Sequence, residues 1–308
     1  MQEPPQQLPE LAHKKVLITG GGGMLARSFR AQLQRLAPTA KVWAPGHSEL
    51  DVCKPAHAGL AVDFAPNLVL HCAAKVDADH CERHPDEAED SIIGGTEFAI
   101  EVCRRTGARL VYPQSFLIHD GQESPITEAT TPRPLSVYGR VKLQAEQRVL
   151  AAAPDALVVC MAGFFGGGAA DTNFVGKIVP HLARLLARGE KCIEIGDRVW
   201  QPSYTCDLAM NTLVLAALGR SGVYCMASHG EASFYELALA ITRLLGIDER
   251  LRVQRVDAAQ LAAREPARRP ARAVMHNQRL AAEQLDYQRP WQTALASYLA
   301  TPYFRNLF

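Results

Sequence analysis

An α/β fold, built as a doubly wound parallel sheet with a smaller C-terminal lobe, is predicted by three features of this 308-residue sequence. Short β-branched runs alternate with longer stretches of helical periodicity. The first run passes straight into the turn Gly20-Gly-Gly-Gly23, and a helical pattern starts at Met24. After Met161 the strand–helix rhythm fades. Repeated strand–helix units with right-handed crossovers give a parallel sheet covered on both faces, the Rossmann type.

In order along the chain, Lys15–Thr19 reads as a buried strand, and Leu25, Phe29, Leu33 and Leu36 share one face of a helix from Met24 to Leu36. Strands follow at 41–44 and 68–71, a helix over 86–105, a strand at 109–113, a long helix over 137–152 and a fifth strand at 157–161. Beyond the glycine-rich hinge 163–171, helices are predicted at 174–188, 206–218, 233–245 and 291–299, with short strands at 192–195 and 223–226. The Pro- and Gln-rich residues 1–12 read as a disordered leader. Residues 13–162 form the dinucleotide-binding domain, to which 199–225 returns, while 163–198 and 226–308 make a substrate-binding lobe.

Bulk properties exclude several classes. Lys and Arg number 33 against 32 Asp and Glu, a balance that argues against a nucleic-acid partner. No apolar run approaches the ~18 residues a membrane helix needs. None of the eight cysteines makes a Cys-x-x-Cys pair, which suits buried thiols in a reducing, cytoplasmic setting.

The segment Val16-Leu-Ile-Thr19-Gly20-Gly-Gly-Gly23-Met24-Leu25-Ala26 joins a strand to a helix through a turn suited to a pyrophosphate. Gly20 and Gly23 let the backbone approach the phosphates, and the free N–H groups of the helix start, at Met24 and Leu25, point at them. The end of the second strand, Ala44-Pro-Gly-His47, carries no acid to hold an adenosine 2′-hydroxyl. With His47 able to meet a 2′-phosphate, the pattern favours NADP(H) and leaves NAD(H) open.

Tyr138-Gly-Arg-Val-Lys142 places a phenol and an ammonium on one helical face. The ammonium is expected to lower the phenol pKa, so that Tyr138 can pass a proton to a carbonyl oxygen. Ser115, just past the fourth strand, supplies a hydroxyl for the same oxygen. Five His and acidic residues between Asp77 and His84 are read as a loop rim, and no metal is predicted. Arg264, Arg268, Arg269 and Arg272 form a basic run, of which Arg269 is the candidate for a substrate diphosphate.

Taken together, these segments resemble the dTDP-4-dehydrorhamnose reductase branch of the extended short-chain dehydrogenases, from residue 14 to about residue 300. The resemblance is carried by Thr19-Gly-x-x-Gly23, Glu49-Leu-Asp51-Val52, Pro66 to Ala74, Asp120-Gly121, Val137-Tyr138-Gly139, Asn173-Phe174-Val175 and Pro202 to Asp207. It implies reduction of a nucleotide-linked 4-keto-6-deoxysugar by NAD(P)H, with Ser115, Tyr138 and Lys142 as the catalytic trio. It further implies Asp51, Val52, Ala73, Ala74 and Lys75 beside the cofactor and Asn173 and Phe174 beside the substrate, and it allows a homodimer. Phe116 and Leu117 stand where the family usually has Asp and Tyr, Gly163 where many members have Trp, and Ile92 about where an Asn is usual. Two other readings stay open: a non-catalytic NAD(P)-binding regulatory subunit, and a nucleotide-sugar epimerase.

Overall fold

A computed structural model describes residues 3–262, 265–305 and 307. Six strands form the central sheet: β1 Lys15–Thr19, β2 Lys41–Trp43, β3 Leu68–His71, β4 Arg109–Ser115, β5 Leu157–Met161 and β6 Gly222–Met226. Every pairing is parallel, in the order β6-β5-β4-β3-β1-β2. The chain steps outward from β1 to β2, then crosses back to the other side of β1 to form β3. That reversal leaves a crevice at the carboxyl ends of β1 and β3, where open α/β sheets bind ligands.

Pleating sorts the strand residues between two faces. Val16 and Ile18 of β1 point to one side, into a core with Phe29 and Leu33 of α1 (Met24–Leu36). Leu17 points to the other, with Val102 of α2 (Gly95–Thr106) and Val141 of α3 (Val137–Ala152). Both faces are covered, so the strands read as near-continuous apolar runs. Helix α5 (Thr205–Ala217) packs beside α1, and β6 pairs with β5. A separate apolar cluster joins Val175 and Ile178 of α4 (Phe174–Ala187) to Leu237 of helix Phe234–Leu244 and Leu295 of helix Trp291–Leu299.

The structure departs from expectation at several points. The leader is not disordered throughout: Leu8 and Leu11 are buried against the α1 core, and Leu8 N donates to Leu36 O at 2.7 Å. Helix 86–105 is interrupted. A short helix Pro85–Glu89 passes through one π-type turn, Asp90–Gly94, before α2 begins. Leu280 and Leu285, assigned to the lobe, pack into the sheet core instead. A strand at Arg252–Val256, absent from the sequence reading, pairs in parallel with Cys192–Gly196.

Candidate active site

The glycine turn is forced by geometry. Gly20 has φ +66°, and a Cβ there would lie 2.9 Å from Ala73 Cα. At Gly21 a Cβ would lie 2.1 Å from the Ala44 carbonyl oxygen. The turn is thus squeezed between the ends of β2 and β3, with no room for a side chain at Gly20 or Gly21. Gly23 caps α1 without a side chain, so the first helical N–H groups face outward from the sheet edge. Thr19, just before the turn, ties it to β3: its hydroxyl accepts from Ala73 N at 3.1 Å and lies 3.0 Å from His71 Nδ1. Burial pulls His71 down to about 3, so the imidazole is neutral in the core.

A cleft of about 390 Å³ opens at this edge. The ends of four neighbouring strands and the segments that follow them line it: Gly22 to Ala26, His71 to Ala74, Tyr112 to Leu117, and Met161 to Phe164. Tyr138 and Lys142 of α3 enter from one side, Thr172 and Asn173 from the lobe. Ser136 starts α3 by accepting from Gly139 N, and Glu82 accepts from Val137 N at 2.8 Å, which sets the helix end beside Ser115.

Ser115, Tyr138 and Lys142 therefore meet in one cleft with Gly23, Met24, Leu25, Ala73, Ala74, Phe116, Leu117 and Asn173. Burial pushes the Tyr138 phenol up to about 12, against a smaller lowering by its hydrogen bond to Ser115. Lys142 is drawn down to about 7, again by burial, with Glu146 opposing. Its ammonium donates to Pro113 O at 2.7 Å and sits 3.9 Å from the Tyr112 ring centroid. The expected lowering of Tyr138 by Lys142 is absent here, because the carbonyl and the Tyr112 ring hold the ammonium and desolvation dominates the phenol. Lys142 is the one Lys, Arg, Asp or Glu among the described residues that line the cleft.

Other predicted residues lie elsewhere. Gly20 is under the turn against Ala73, behind the cleft lining. The His47 side chain is 85% exposed beyond β2, and its Nδ1 lies 3.9 Å from Asp51 Oδ1. An acid therefore does approach the end of β2, brought by the chain rather than by the strand; Asp51 also accepts from Cys53 N. Val52 is buried in the helix-side core. The Lys75 ammonium is 3.5 Å from Glu87 at the surface. Phe174 turns into the lobe and packs on Phe234, ring centroids 4.8 Å apart. Arg269 is spent on Asp79 at 2.9 Å and Glu265 at 3.3 Å, so it does not face the cleft as a free diphosphate ligand. Arg264 lies outside the described residues, and Arg272 pairs with Glu231.

The acidic rim has structural work. Asp77 caps the helix Ala78–Arg83, Asp79 holds Arg269, Glu82 holds α3 and His80 meets Glu87. Among the described residues no three His, Cys, Asp or Glu side chains are grouped to hold a metal. No described helix is long and apolar enough to cross a membrane. Gln114 and Glu146, buried beside the trio, carry no sequence signal, and Ile92 reaches the cleft from the π-type turn.

The RmlD substrate binding domain family matches residues 14–303. The chain belongs to this family. Its relatives include the dTDP-4-dehydrorhamnose reductase of Mycobacterium tuberculosis strain H37Rv, 32% identical over 301 residues, covering 94% of this chain and 93% of that protein. The dTDP-4-keto-6-deoxy-D-glucose reductase of Streptomyces niveus is also 32% identical, over 283 residues, covering 91% and 94%. A crystal structure of a dTDP-4-dehydrorhamnose reductase ortholog from Clostridium acetobutylicum superposes with a TM-score of 0.85 at 30% identity, covering 92% of this chain and 98% of that one. As a member of the RmlD family, the chain carries the fold and cleft of an NAD(P)-dependent oxidoreductase of the extended short-chain type.

Proposed function

We propose that this RmlD-family chain reduces the 4-keto group of a dTDP-linked 6-deoxysugar, with NADPH as hydride donor. One observation carries the reading: the Ser115 and Tyr138 hydroxyls share a cleft with Lys142 and with the amide-lined start of α1. The names of the Mycobacterium and Streptomyces relatives support the substrate class.

The residues fit a dinucleotide. A turn closed to Cβ atoms at Gly20 and Gly21, opening onto a helix start, matches a pyrophosphate held by backbone N–H groups. Arg27, whose Nε donates to Gly22 O at 2.9 Å, keeps a cation beside that turn. Bound NADPH supplies the hydride. Tyr138 hydrogen-bonds the carbonyl oxygen and gives it a proton, while Ser115 donates a second hydrogen bond to the same oxygen. A phenol held neutral by burial can donate in this way. Lys142, held by Pro113 O and the Tyr112 ring, would present its ammonium to the nicotinamide ribose. The lobe contributes Thr172 and Asn173 to the cleft, on the side where the nucleotide end of the substrate would lie.

The test is to mix the protein with NADPH and an enzymatically prepared dTDP-4-keto-6-deoxyhexose, following absorbance at the nicotinamide band and product mass. Loss of NADPH matched by a product heavier by one hydride and one proton supports the reading. Cofactor binding without turnover of any dTDP-keto sugar contradicts it.

A further inference from the structure

The sugar end of the cleft is walled by apolar groups whose neighbours leave little for a hydroxyl to bond. Phe116 and Leu117 follow Ser115 directly, and Gly163 stands opposite them on the loop after β5. Gly163 is pressed from behind by an indole: a Cβ there would lie 2.3 Å from Trp200 Cε3 and 3.6 Å from Phe116 Cε1. Trp200, itself buried, stacks on Phe234 at 4.9 Å between centroids, so this wall is rigidly backed.

Most polar groups nearby are already committed, and those left, the Thr172 hydroxyl and the Asn173 amide oxygen, come from the lobe side rather than from this wall's own residues. The Asn173 amide donates to Phe164 O at 2.8 Å. Ser203 N takes Gly163 O at 3.0 Å, and His119 N takes Phe116 O at 3.0 Å. Thr96 donates to Ile92 O at 2.6 Å, and the Gln114 amide is used by Ser115 N, Lys142 O and Glu146. Ser115 and Tyr138 are needed at the carbonyl. A 4-keto-6-deoxyhexose carries two further ring hydroxyls, at C2 and C3. Buried against this wall, a hydroxyl would give up water without gaining a side-chain partner from Phe116, Leu117, Gly163 or Phe164. The C6 methyl can cover part of the wall, but not all of Phe116, Leu117, Gly163 and Phe164 together.

Resting on the reductase reading above, we infer that the preferred substrate is a nucleotide-linked 4-keto sugar deoxygenated at C2 or C3 as well as at C6. Phe116, Leu117 and the Gly163–Trp200 pair set this preference. They act by leaving hydroxyls unpaired, rather than by bonding the sugar.

The experiment compares kcat/KM, with NADPH, for dTDP-4-keto-6-deoxyglucose and its 2-deoxy and 3-deoxy counterparts. One hydroxyl buried without a partner is worth about 10- to 100-fold in discrimination, so a deoxy sugar should lead by at least ~10-fold. Phe116→Asn, which puts a polar group at the wall, should narrow that lead by raising the value for the hydroxylated sugar. Equal or better turnover of the hydroxylated sugar by the unaltered protein overturns the inference and leaves the reductase reading intact. Turnover of none of the three overturns both.

Discussion

Gln114 donates its side-chain N–H to the Glu146 carboxylate at 2.5 Å, with both residues buried. The same amide nitrogen donates to Lys142 O at 3.0 Å, and the amide oxygen accepts from Ser115 N at 2.7 Å. One side chain therefore fastens the end of β4, which carries Ser115, to the helix that carries Tyr138 and Lys142. Glu146→Ala leaves a buried donor short of its acceptor, at a cost of about 1–3 kcal/mol in folding stability. Loosening the two elements should lower kcat by roughly 10-fold or more, since small misplacements of reacting groups are expensive. Glu146→Gln, which keeps an acceptor, should lose less on both counts. Urea unfolding and steady-state kinetics of the pair check this; equal effects of the two substitutions would count against it.

Lys142 gives a pH dependence with a definite sign. Burial draws its pKa from 10.5 to about 7, so the side chain is charged below that value and neutral above it. NADPH affinity of the free protein should therefore weaken as pH rises through about 7. In Lys142→Met the affinity should be lower and flat across that range. Fluorescence titration of NADPH at several pH values measures both curves.

The glycine turn contains its own control. A Cβ at Gly21 would lie 2.1 Å from backbone oxygen, whereas at Gly22 it would meet nothing within 4 Å. Gly21→Ala should lower the thermal midpoint and weaken NADPH binding by at least ~10-fold, because backbone must move and the turn with it. Gly22→Ala should leave the midpoint unchanged. Calorimetry of both variants decides, and similar midpoints would contradict the account of the turn.

His71 makes the fold sensitive to acid. The unfolded imidazole takes a proton near 6.5 and the native one only near about 3. Between those values the unfolded chain binds more protons, so stability falls as pH drops. His71→Asn removes the titrating group. Its urea midpoint should fall less steeply than that of the unaltered protein as pH is lowered below 6.5, and equal slopes would refute the assignment.

The parts of this molecule that announce themselves in sequence are those dictated by local chemistry. The strand, glycine turn and helix from Lys15 to Leu36 lie in adjacent residues, and Tyr138 and Lys142 are one helical turn apart. What stayed hidden depends on partners distant in sequence. Leu8 and Leu11 look like stray leucines among Pro and Gln, and only the α1 core shows why they are buried. Glu146 carries no sequence signal of its own, and its role comes from Gln114, 32 residues earlier. Arg252–Val256 carries too many charges to read as a strand, yet it completes a two-stranded edge with Cys192–Gly196.

Long-range pairing also explains the residues that were misplaced. Arg269 suits a diphosphate by type, but Asp79, 190 residues away, claims it. The break near Asp90 was missed because the apolar positions on either side keep a helical period, while the π-type turn shifts their phase and brings Ile92 to the cleft. Gly163 reads as the loss of a side chain. Only the fold shows the Trp200 ring filling that space from behind.

The central claim is that Tyr138 delivers the proton within a cleft that holds NADPH. Its most direct test is Tyr138→Phe, with kcat/KM for a turned-over dTDP-4-keto sugar and the NADPH dissociation constant measured on the same preparation. The account predicts a loss of about 10²- to 10⁴-fold in kcat/KM with cofactor affinity nearly unchanged. Retention of activity within a few-fold, with NADPH still bound, would contradict it.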